Sequence, residues 1–384
     1  MNSRGPLAGV VVVDLSRAVA GPQAAQMLGD LGARVIKIES PDGDDSRRWG
    51  PPFVGGESTY FLSINRNKES VVLDLKTDDG TSALTSLIER ADVLIENFRF
   101  GTLARLGFDD ARIHEINPRA ILLSITGFGH DGPAATRPGY DQIAQGEAGL
   151  MSVTGSEPGD PQRVGIPISD VLAGMNGAFG IVAALFDREK TGKGTIIRTS
   201  LLAATVGAHV YQGTAQTVAG VSGTARGNHH PSLAPYGLFH CADSHVQIAV
   251  GTEGHWAALC RVLTIKPDSQ FDTNAGRVTH VDDLIAVINT ALSAWKVNEI
   301  LDALTAAGVP AGKVRSMDEV YSWDQTRSQG LVVSVDHSTL GTIDIPGPPL
   351  RWFDGVTEVT PTHHSAPPTL GEHTTAVLRW LADD

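Results

Sequence analysis

The chain has 384 residues, which is long enough to bury a substantial hydrophobic core and to form more than one domain. Its formal net charge of -13 excludes the basic surface that general nucleic-acid binders and electrostatic membrane binders need, but it leaves room for a local basic pocket. The two cysteines, Cys241 and Cys260, are too few for a disulfide framework and lack zinc-ligand spacing, so no metal is expected. The sequence shows neither a signal-peptide pattern nor an apolar run long enough to span a membrane, which predicts a cytoplasmic protein.

Residues 1–200 alternate between predicted strands and helices. Residues 10–14 form an apolar run typical of a buried parallel strand, Pro22 is well placed to begin a helix, and Arg34–Glu39 is the next strand. The loop between the two strands lacks the GxGxxG fingerprint, so NAD binding is not expected. Further strands are predicted at residues 70–75, 92–96, 119–126 and 195–200. This alternation predicts an α/β fold with a Rossmann-like, mostly parallel sheet that binds ligands beyond the carboxyl ends of its strands.

A helical pattern from 171 to 186 follows Ser169 and Asp170. Both residue types commonly cap helices, and a carboxylate at the positive end of a helix dipole is held ionised. Asp170 is therefore either a structural cap or an ionised base or nucleophile. Three glycines cost about 1 kcal/mol each in helix propensity, which indicates that something approaches this face of the helix closely. They are Gly174, Gly177 and Gly180.

The remaining chain predicts a second, smaller unit. An Ala- and Thr-rich helix over 201–218 leads to a glycine-containing linker, and an α+β pattern follows. We therefore predict a large ligand-binding α/β domain over 1–200, a linker helix and loop over 201–225, and a small domain over 226–316. Residues 317–384 are predicted to return as a linker and a C-terminal segment that packs on the large domain.

Basic residues occur at several predicted strand ends and loops of the large domain. A solvated surface position is the simpler interpretation for any one of them. Their concentration at the ligand-binding edge of an acidic protein nevertheless suits a phosphate-bearing cofactor. No P-loop is present, so a hydrolysed adenosine phosphate is not expected. The basic residues are Arg17, Lys37, Arg47, Arg48, Lys68, Lys76, Arg99 and Arg105.

Two further pairs of residues have structural interpretations. Tyr140 and Asp141 precede a predicted helix, where Asp141 suits a capping role. His229 and His230 are adjacent, so their side chains point apart on an extended chain, and no carboxylate cluster lies near them in the sequence. They therefore do not indicate a metal site. Neither a Gly-x-Ser-x-Gly elbow nor a Cys–His pairing pattern occurs.

Seven motifs, taken together and in order, resemble the class III CoA-transferase family. This family includes formyl-CoA, carnitine and mesaconate CoA-transferases and the α-methylacyl-CoA racemases. The resemblance covers nearly the whole chain. The motifs lie at residues 14–22, 28–39, 65–70, 96–99, 227–236, 307–312 and 370–373.

The resemblance implies that Asp170 is the catalytic carboxylate. It would attack an acyl-CoA thioester to give a mixed anhydride and then an aspartyl-CoA thioester, with Tyr140 and Asp141 flanking the reacting centre. The helix glycines would let a flat thioester lie against the backbone. The family also implies an interlocked homodimer, with each active site between one large domain and the partner's small domain. The residues implied to bind CoA are Arg17, Ala18, Leu73, Lys76, Asn97, Phe98 and Arg105.

Departures from the family pattern narrow the chemistry. Racemases of the family use a His next to an Asp, whereas this chain has Tyr140, and a tyrosine with a reference pKa of about 10 is a poor proton acceptor at neutral pH. Formyl-CoA transferase has an active-site glycine run, an arginine at the place of Ser40 and a glutamine at that of Val19, so oxalate and formate are not expected acceptors. The sequence favours transfer of CoA from a donor such as succinyl-CoA to a larger organic acid. An acyl-CoA racemase and a non-catalytic CoA-binding protein are the alternatives.

Overall fold

The structure, a computed structural model, describes residues 5–383, and these divide into two compact units. Unit 1 contains the described residues up to Leu150, Arg163–Val221, and those from Asp324 onward. Unit 2 contains Met151–Gln162 and Ser222–Trp323. The predicted division into domains stays a prediction.

The described residues form fifteen β-strands and sixteen α-helices. The strands are β1 Val11–Asp14, β2 Arg34–Glu39, β3 Phe53–Val54, β4 Glu57–Ser58, β5 Lys68–Val72, β6 Val93–Glu96, β7 Ile121–Thr126, β8 Ile196–Ser200, β9 Tyr236–His240, β10 His245–Ala249, β11 Ala311–Lys313, β12 Val332–His337, β13 Gly341–Pro346, β14 Phe353–Asp354 and β15 Thr357–Glu358. The helices are α1 Ala20–Asp30, α2 Thr59–Ser63, α3 Asp78–Arg90, α4 Thr102–Arg105, α5 Asp110–Ile116, α6 Asp141–Glu147, α7 Ile168–Thr191, α8 Leu201–Gly207, α9 Val210–Ala219, α10 Glu253–Leu263, α11 Asn274–Thr279, α12 Val281–Leu292, α13 Val297–Ala306, α14 Met317–Ser322, α15 Asp324–Ser328 and α16 Thr374–Ala382.

A six-stranded parallel sheet organises unit 1, with the strand order β5-β2-β1-β6-β7-β8. This confirms the predicted parallel α/β sheet. Successive residues of a strand face opposite sides, so Val12 packs with α1 and α7 while Val13 packs with α3, α5 and α16. The chain winds outward from β1 to β5 and then returns to β6. The carboxyl ends of β1 and β6 therefore form a topological switch point, where such sheets bind ligands.

The long helix α7 begins earlier than the sequence pattern indicated. Pro167 is its N-cap and makes no side-chain capping bond, so the prediction that Ser169 or Asp170 caps the helix is wrong. At 24 residues and a mean hydropathy of 1.5, α7 is long and apolar enough to cross a membrane by length and composition alone, contrary to the sequence expectation. A long core helix has the same properties, and one face of α7 packs on α1 and β7.

The glycines of α7 face protein rather than the space for a ligand. A Cβ on Gly174 would lie 2.7 Å from the carbonyl oxygen of Ala20 in α1. A Cβ on Gly177 would lie 2.7 Å from Leu123 of β7, and one on Gly180 would lie 3.1 Å from Ile197 of β8. The expectation of close approach is therefore confirmed for Gly174 and Gly177. The suggestion that the glycines admit a thioester is wrong, because α1 and the sheet fill that space.

Two other segments differ from the sequence expectation. The single helix predicted over 201–218 is divided into α8 and α9, and Val210, with a φ of 46°, marks the break. The three strands of unit 2 form an antiparallel sheet in the order β11-β10-β9, of which the sequence indicated only β10. Segments of unit 1 that are far apart in the sequence also meet, since the backbone N–H of His373 donates to the carbonyl of Ser70 on the edge strand β5 at 2.9 Å.

Candidate active site

A cavity of about 770 Å³ lies beyond the carboxyl ends of β1, β6 and β7. Its lining combines the loop after β1, the segment after β6, the segment before α6 and the first turn of α7. This is the edge of the sheet at which the sequence predicted ligand binding. Among its lining residues are Arg17, Ala18, Trp49, Tyr60, Asn97, Phe98, Arg99, Gly127, Arg137, Tyr140, Asp141, Arg163 and Asp170.

Asp170 is the third residue of α7 and lines this cavity. Burial, together with the negative charge of Asp141, raises the pKa of Asp170 to about 7. The sequence-based expectation that the helix dipole holds this carboxylate ionised is therefore wrong, because loss of solvent and a like charge outweigh the dipole. Near neutral pH the carboxyl is divided between a protonated form and an ionised, nucleophilic form.

Asp141 connects the start of α7 to α6. Its Oδ1 accepts the backbone N–H of Ser169 at 2.8 Å, and its Oδ2 accepts a hydrogen bond from Gln145 Nε2 at 2.7 Å. Gln145 is fully buried, and its Oε1 accepts the backbone N–H of Val164 at 2.9 Å. Asp141 was expected to cap its own helix, but it is the first residue of α6 and instead satisfies a first-turn donor of α7. The segment before Asp170 is thus fixed at two points.

Three aromatic side chains line the cavity near these carboxylates. Tyr140, which the sequence predicted there, is 66% exposed. Trp49 begins a loop, residues 49–56, that the sequence predicted to shape the pocket, whereas Tyr60 was missed; their rings pack edge to face with centroids 4.9 Å apart. Burial, followed by the charges of Asp170, Asp141 and Asp44, raises the pKa of Tyr60 to about 12, so its hydroxyl stays a hydrogen-bond donor. Tyr60 lies in the short helix α2, just after the Gly- and Pro-rich loop, and carries no motif.

The loop after β1 is held from several sides. The backbone N–H of Arg17 donates to Asn97 Oδ1 at 2.8 Å, and Asn97 Nδ2 donates to the carbonyl of Arg17 at 2.7 Å. Ala18 has a φ of 63°, a strained conformation for a residue with a side chain, and its N–H donates to Asp44 Oδ1 at 3.3 Å. Lys37 Nζ donates to the carbonyl of Ser16 at 2.9 Å. These contacts fix the backbone at the rim of the cavity.

Several basic residues of the sequence-predicted cluster are unavailable to a ligand. Lys37 is fully buried and lies 2.8 Å from Asp44; burial opposes ionisation of Asp44, but the ammonium group lowers the pKa of this carboxyl to about 2. Lys68 is equally buried and lies 2.9 Å from Asp14. Arg47 makes two hydrogen bonds to the buried Glu39. The expectation that these three belong to a phosphate-binding group is therefore wrong.

The residues that the family resemblance assigned to CoA separate into two groups. Arg17, Ala18, Asn97 and Phe98 line the cavity, and the Arg17 guanidinium lies 5.8 Å from the centroid of the Phe98 ring. The other three do not line it: Leu73 is buried in the core, Lys76 is exposed, and Arg105 donates to Thr102 Oγ1 at 2.8 Å. Their contacts with CoA stay predictions. Within residues 5–383, no cluster of three or more His, Cys, Asp or Glu side chains suits a metal ion.

Comparisons with known proteins identify the family of the chain. Residues 7–374 match the model of the family described as CoA-transferase family III. The chain is 38% identical to the succinyl-CoA:glutarate CoA-transferase of Homo sapiens over 99% of this chain and 86% of that protein. It is 38% identical to the succinate–glutarate CoA-transferase of Agrobacterium fabrum, covering 99% and 96%, and 36% identical to the succinyl-CoA:mesaconate CoA-transferase of Haloarcula marismortui, covering 97% and 96%.

A solved structure extends the similarity to the fold. The crystal structure of a CaiB/BaiF family protein from Brucella suis superposes with a TM-score of 0.87 at 37% identity and covers 98% of this chain and 99% of that one. The family description and the relatives' names support CoA transfer and neither of the alternatives, a racemase or a non-catalytic CoA-binding protein. With a match over almost its entire length and relatives well above 30% identity, the chain belongs to the class III CoA-transferase family and is a CoA-transferase.

Proposed function

We propose that this enzyme transfers CoA from succinyl-CoA to glutarate or to a dicarboxylic acid of similar length. The observation that carries the proposal is the carboxyl group of Asp170, with its pKa near neutrality, in a cavity of about 770 Å³ at the switch point of the sheet. The three relatives named above support the choice of donor, and two of them support glutarate as acceptor. The sequence also differs from formyl-CoA transferase at Ser40 and Val19 and lacks its glycine run, and these differences favour an acceptor larger than oxalate or formate.

The reaction proceeds in four balanced steps on Asp170. The ionised carboxylate attacks the thioester carbonyl of the donor, the C–S bond breaks, and CoA thiolate leaves a mixed anhydride. The thiolate attacks the aspartyl carbonyl, which releases the donor acid and leaves an aspartyl-CoA thioester. The acceptor carboxylate then displaces the thiolate to form a second anhydride. Finally the thiolate attacks the acceptor carbonyl, which forms the new acyl-CoA and regenerates Asp170 without net proton transfer.

The surrounding residues prepare Asp170 for this role. Asp141 and Gln145 fix the first turn of α7, so the carboxyl group is positioned before substrate binds. Tyr60 keeps its proton and is available to donate to an oxyanion that develops on the attacked carbonyl. Arg17, Ala18 and Asn97 form the rim on which we place CoA.

Chemical trapping tests the covalent mechanism. After incubation with succinyl-CoA and reduction with borohydride, the peptide that contains Asp170 should carry the alcohol formed from an activated aspartyl carbonyl, measured by mass spectrometry. Asp170→Asn should give no modified peptide and no transfer to glutarate, while its affinity for CoA, measured by calorimetry, stays within about threefold. An unmodified Asp170 peptide from an enzyme that is turning over would contradict the proposed intermediate.

We also propose that the enzyme is a homodimer, as the family resemblance implies. The face of α7 opposite the core carries a stripe of exposed apolar side chains at helical spacing, of which Phe179 is 76% and Phe186 is 67% exposed. Met175 and Val182 complete the stripe. An exposed apolar stripe of this kind favours burial against another apolar surface, and the same stripe on a second copy of the chain supplies one. The cytoplasmic location stays a prediction.

A further inference from the structure

Four arginines line the cavity that contains Asp170, and they differ in their partners. Arg17 lies 3.9 Å from Asp45, and Arg137 forms an ion pair with Glu147. In the part of the chain that the structure describes, Arg99 and Arg163 form no ion pair with a carboxylate. Within the described residues, no carboxylate therefore competes with an anionic ligand for these two guanidinium groups.

The Arg163 side chain hydrogen-bonds to the backbone segment that leads to Asp170, and this segment is anchored. Arg163 Nη1 donates to the carbonyls of Val164 and Gly165, each at 3.1 Å. The backbone N–H of Val164 is held by Gln145, and that of Ser169 is held by Asp141, so both ends of the intervening segment are attached to α6. Arg163 and Asp170 thus flank one anchored segment and line the same cavity.

The free edge of the Arg163 guanidinium suits a carboxylate. The two backbone carbonyls accept from Nη1. The N–H groups of Nε and Nη2 make no hydrogen bond within residues 5–383. These two groups are parallel donors, and a carboxylate binds such an edge through both of its oxygens. Exposure of the side chain leaves the edge open to a ligand.

Arg99 is less suited to the same ligand. It follows Phe98 after β6 and lines both the main cavity and a neighbouring cavity of about 320 Å³ next to α4. Its position in the chain places it with the strand-end residues assigned to CoA. Arg163 belongs instead to the segment that leads directly into Asp170.

We propose that Arg163 binds the distal carboxylate of a dicarboxylic acyl group while the other end of that group reacts at Asp170. This inference rests on the proposed function and deepens it, since it names the residue that selects dicarboxylates. Arg163 does not contact the reacting carbonyl, so the chemistry of the thioester is independent of it. Both the succinyl donor and the acceptor acid use the same guanidinium in turn.

Acceptor selectivity tests the proposal. The reaction has two halves, acylation of the enzyme by the donor and transfer to the acceptor, and kcat/KM for an acceptor reports only on the second half. Glutarate and pentanoate differ only in the distal carboxylate, so the difference between their kcat/KM values measures the effect of that group. Arg163→Met should lower kcat/KM for glutarate at least about tenfold and change that for pentanoate by less than about twofold. Arg163→Lys should restore part of the glutarate value, because it keeps the charge but loses the two-donor edge. Where pentanoate is not turned over, its inhibition constant against glutarate replaces kcat/KM.

A matched control and the donor half complete the design. Arg119→Met removes another exposed arginine that donates to a backbone carbonyl but does not line the cavity, and it should leave both acceptors unchanged. The rate of enzyme acylation should fall for succinyl-CoA and not for butyryl-CoA in Arg163→Met. Equal losses for glutarate and pentanoate, or no loss for glutarate, would overturn the role of Arg163. Absence of transfer by the wild-type enzyme to any acid would instead overturn the proposed function.

Discussion

The carboxyl groups of Asp141 and Asp170 have different roles at the start of α7. Asp141 accepts hydrogen bonds from the backbone N–H of Ser169 and from the side chain of Gln145, and so holds the start of α7 in place. Asp170 is partly buried, and the loss of solvent together with the charge of Asp141 raises its pKa to about 7. A raised pKa makes the ionised carboxylate of Asp170 a better nucleophile, but only the ionised fraction reacts. Its reactivity therefore depends on pH in the physiological range.

The pH profile of the acylation half-reaction follows from this value. The ionised form is the reactive one, so kcat/KM for succinyl-CoA should fall about tenfold per pH unit below pH 7 and level off above it. Asp141→Asn removes the like charge but retains an oxygen that accepts the Ser169 N–H. We expect this variant to move the break in the profile to lower pH. A break at the same pH in both enzymes would show that Asp141 does not raise the pKa of Asp170.

At the scale of the elements, α7 links the core to the cavity. Its glycine side packs on α1 and the sheet, and its first turn carries Asp170. Gly174 contacts the backbone of α1 at Ala20, and α1 directly follows the loop that contains Arg17 and Ala18. A change in the spacing between α1 and α7 should therefore displace the loop that contains Arg17 and Ala18 at the rim of the cavity.

Two alanine substitutions in α7 separate helix propensity from packing. Gly174→Ala places a Cβ 2.7 Å from the carbonyl oxygen of Ala20, and we expect a net loss of about 1–3 kcal/mol despite a propensity gain of about 1 kcal/mol. Its Tm should fall and its KM for acyl-CoA should rise. Gly180→Ala meets the side chain of Ile197 at 3.1 Å, rather than the backbone of α1, and should leave KM unchanged. Thermal melts and steady-state kinetics of both variants measure these effects; equal behaviour would contradict the link from α7 to the rim.

Across the whole molecule, the sequence predicted those elements whose residues show a local pattern of burial. Strands β1, β6 and β7 were identified because strands buried on both faces form apolar runs. Strand β2 has charged residues among its apolar ones and still matches its predicted range of Arg34–Glu39. The break between α8 and α9 was missed because the apolar pattern continues across it. In the cavity, Asp170, Tyr140 and Arg17 were named from motifs. The bond from Ser169 to Asp141, which are 28 positions apart, and the burial of Lys37 with Asp44 depend on the tertiary fold and leave no local pattern.

The assembly prediction concerns the exposed stripe of α7. Phe179→Asp combined with Phe186→Asp places two charges on the apolar face, and we expect the molar mass in solution to fall from that of two chains to that of one. Phe179→Leu keeps the face apolar and should remain dimeric. Light scattering after gel filtration measures both, with circular dichroism to confirm that the double variant is folded. A wild-type mass of about one chain would contradict the dimer.

The hydrogen bonds along β5 have a consequence for how the protein is made. The edge of this strand is covered by a segment that the ribosome adds much later: the N–H of Ser70 donates to the ring of His373, 303 positions further on, and Val72 donates to Thr374. All six strands of the sheet are synthesised before that cover emerges. During the interval β5 presents unpaired backbone groups, which are a template for pairing with other chains. The nascent enzyme is thus most exposed to aggregation when its sheet is already complete, and this is the stage at which a chaperone would protect it best.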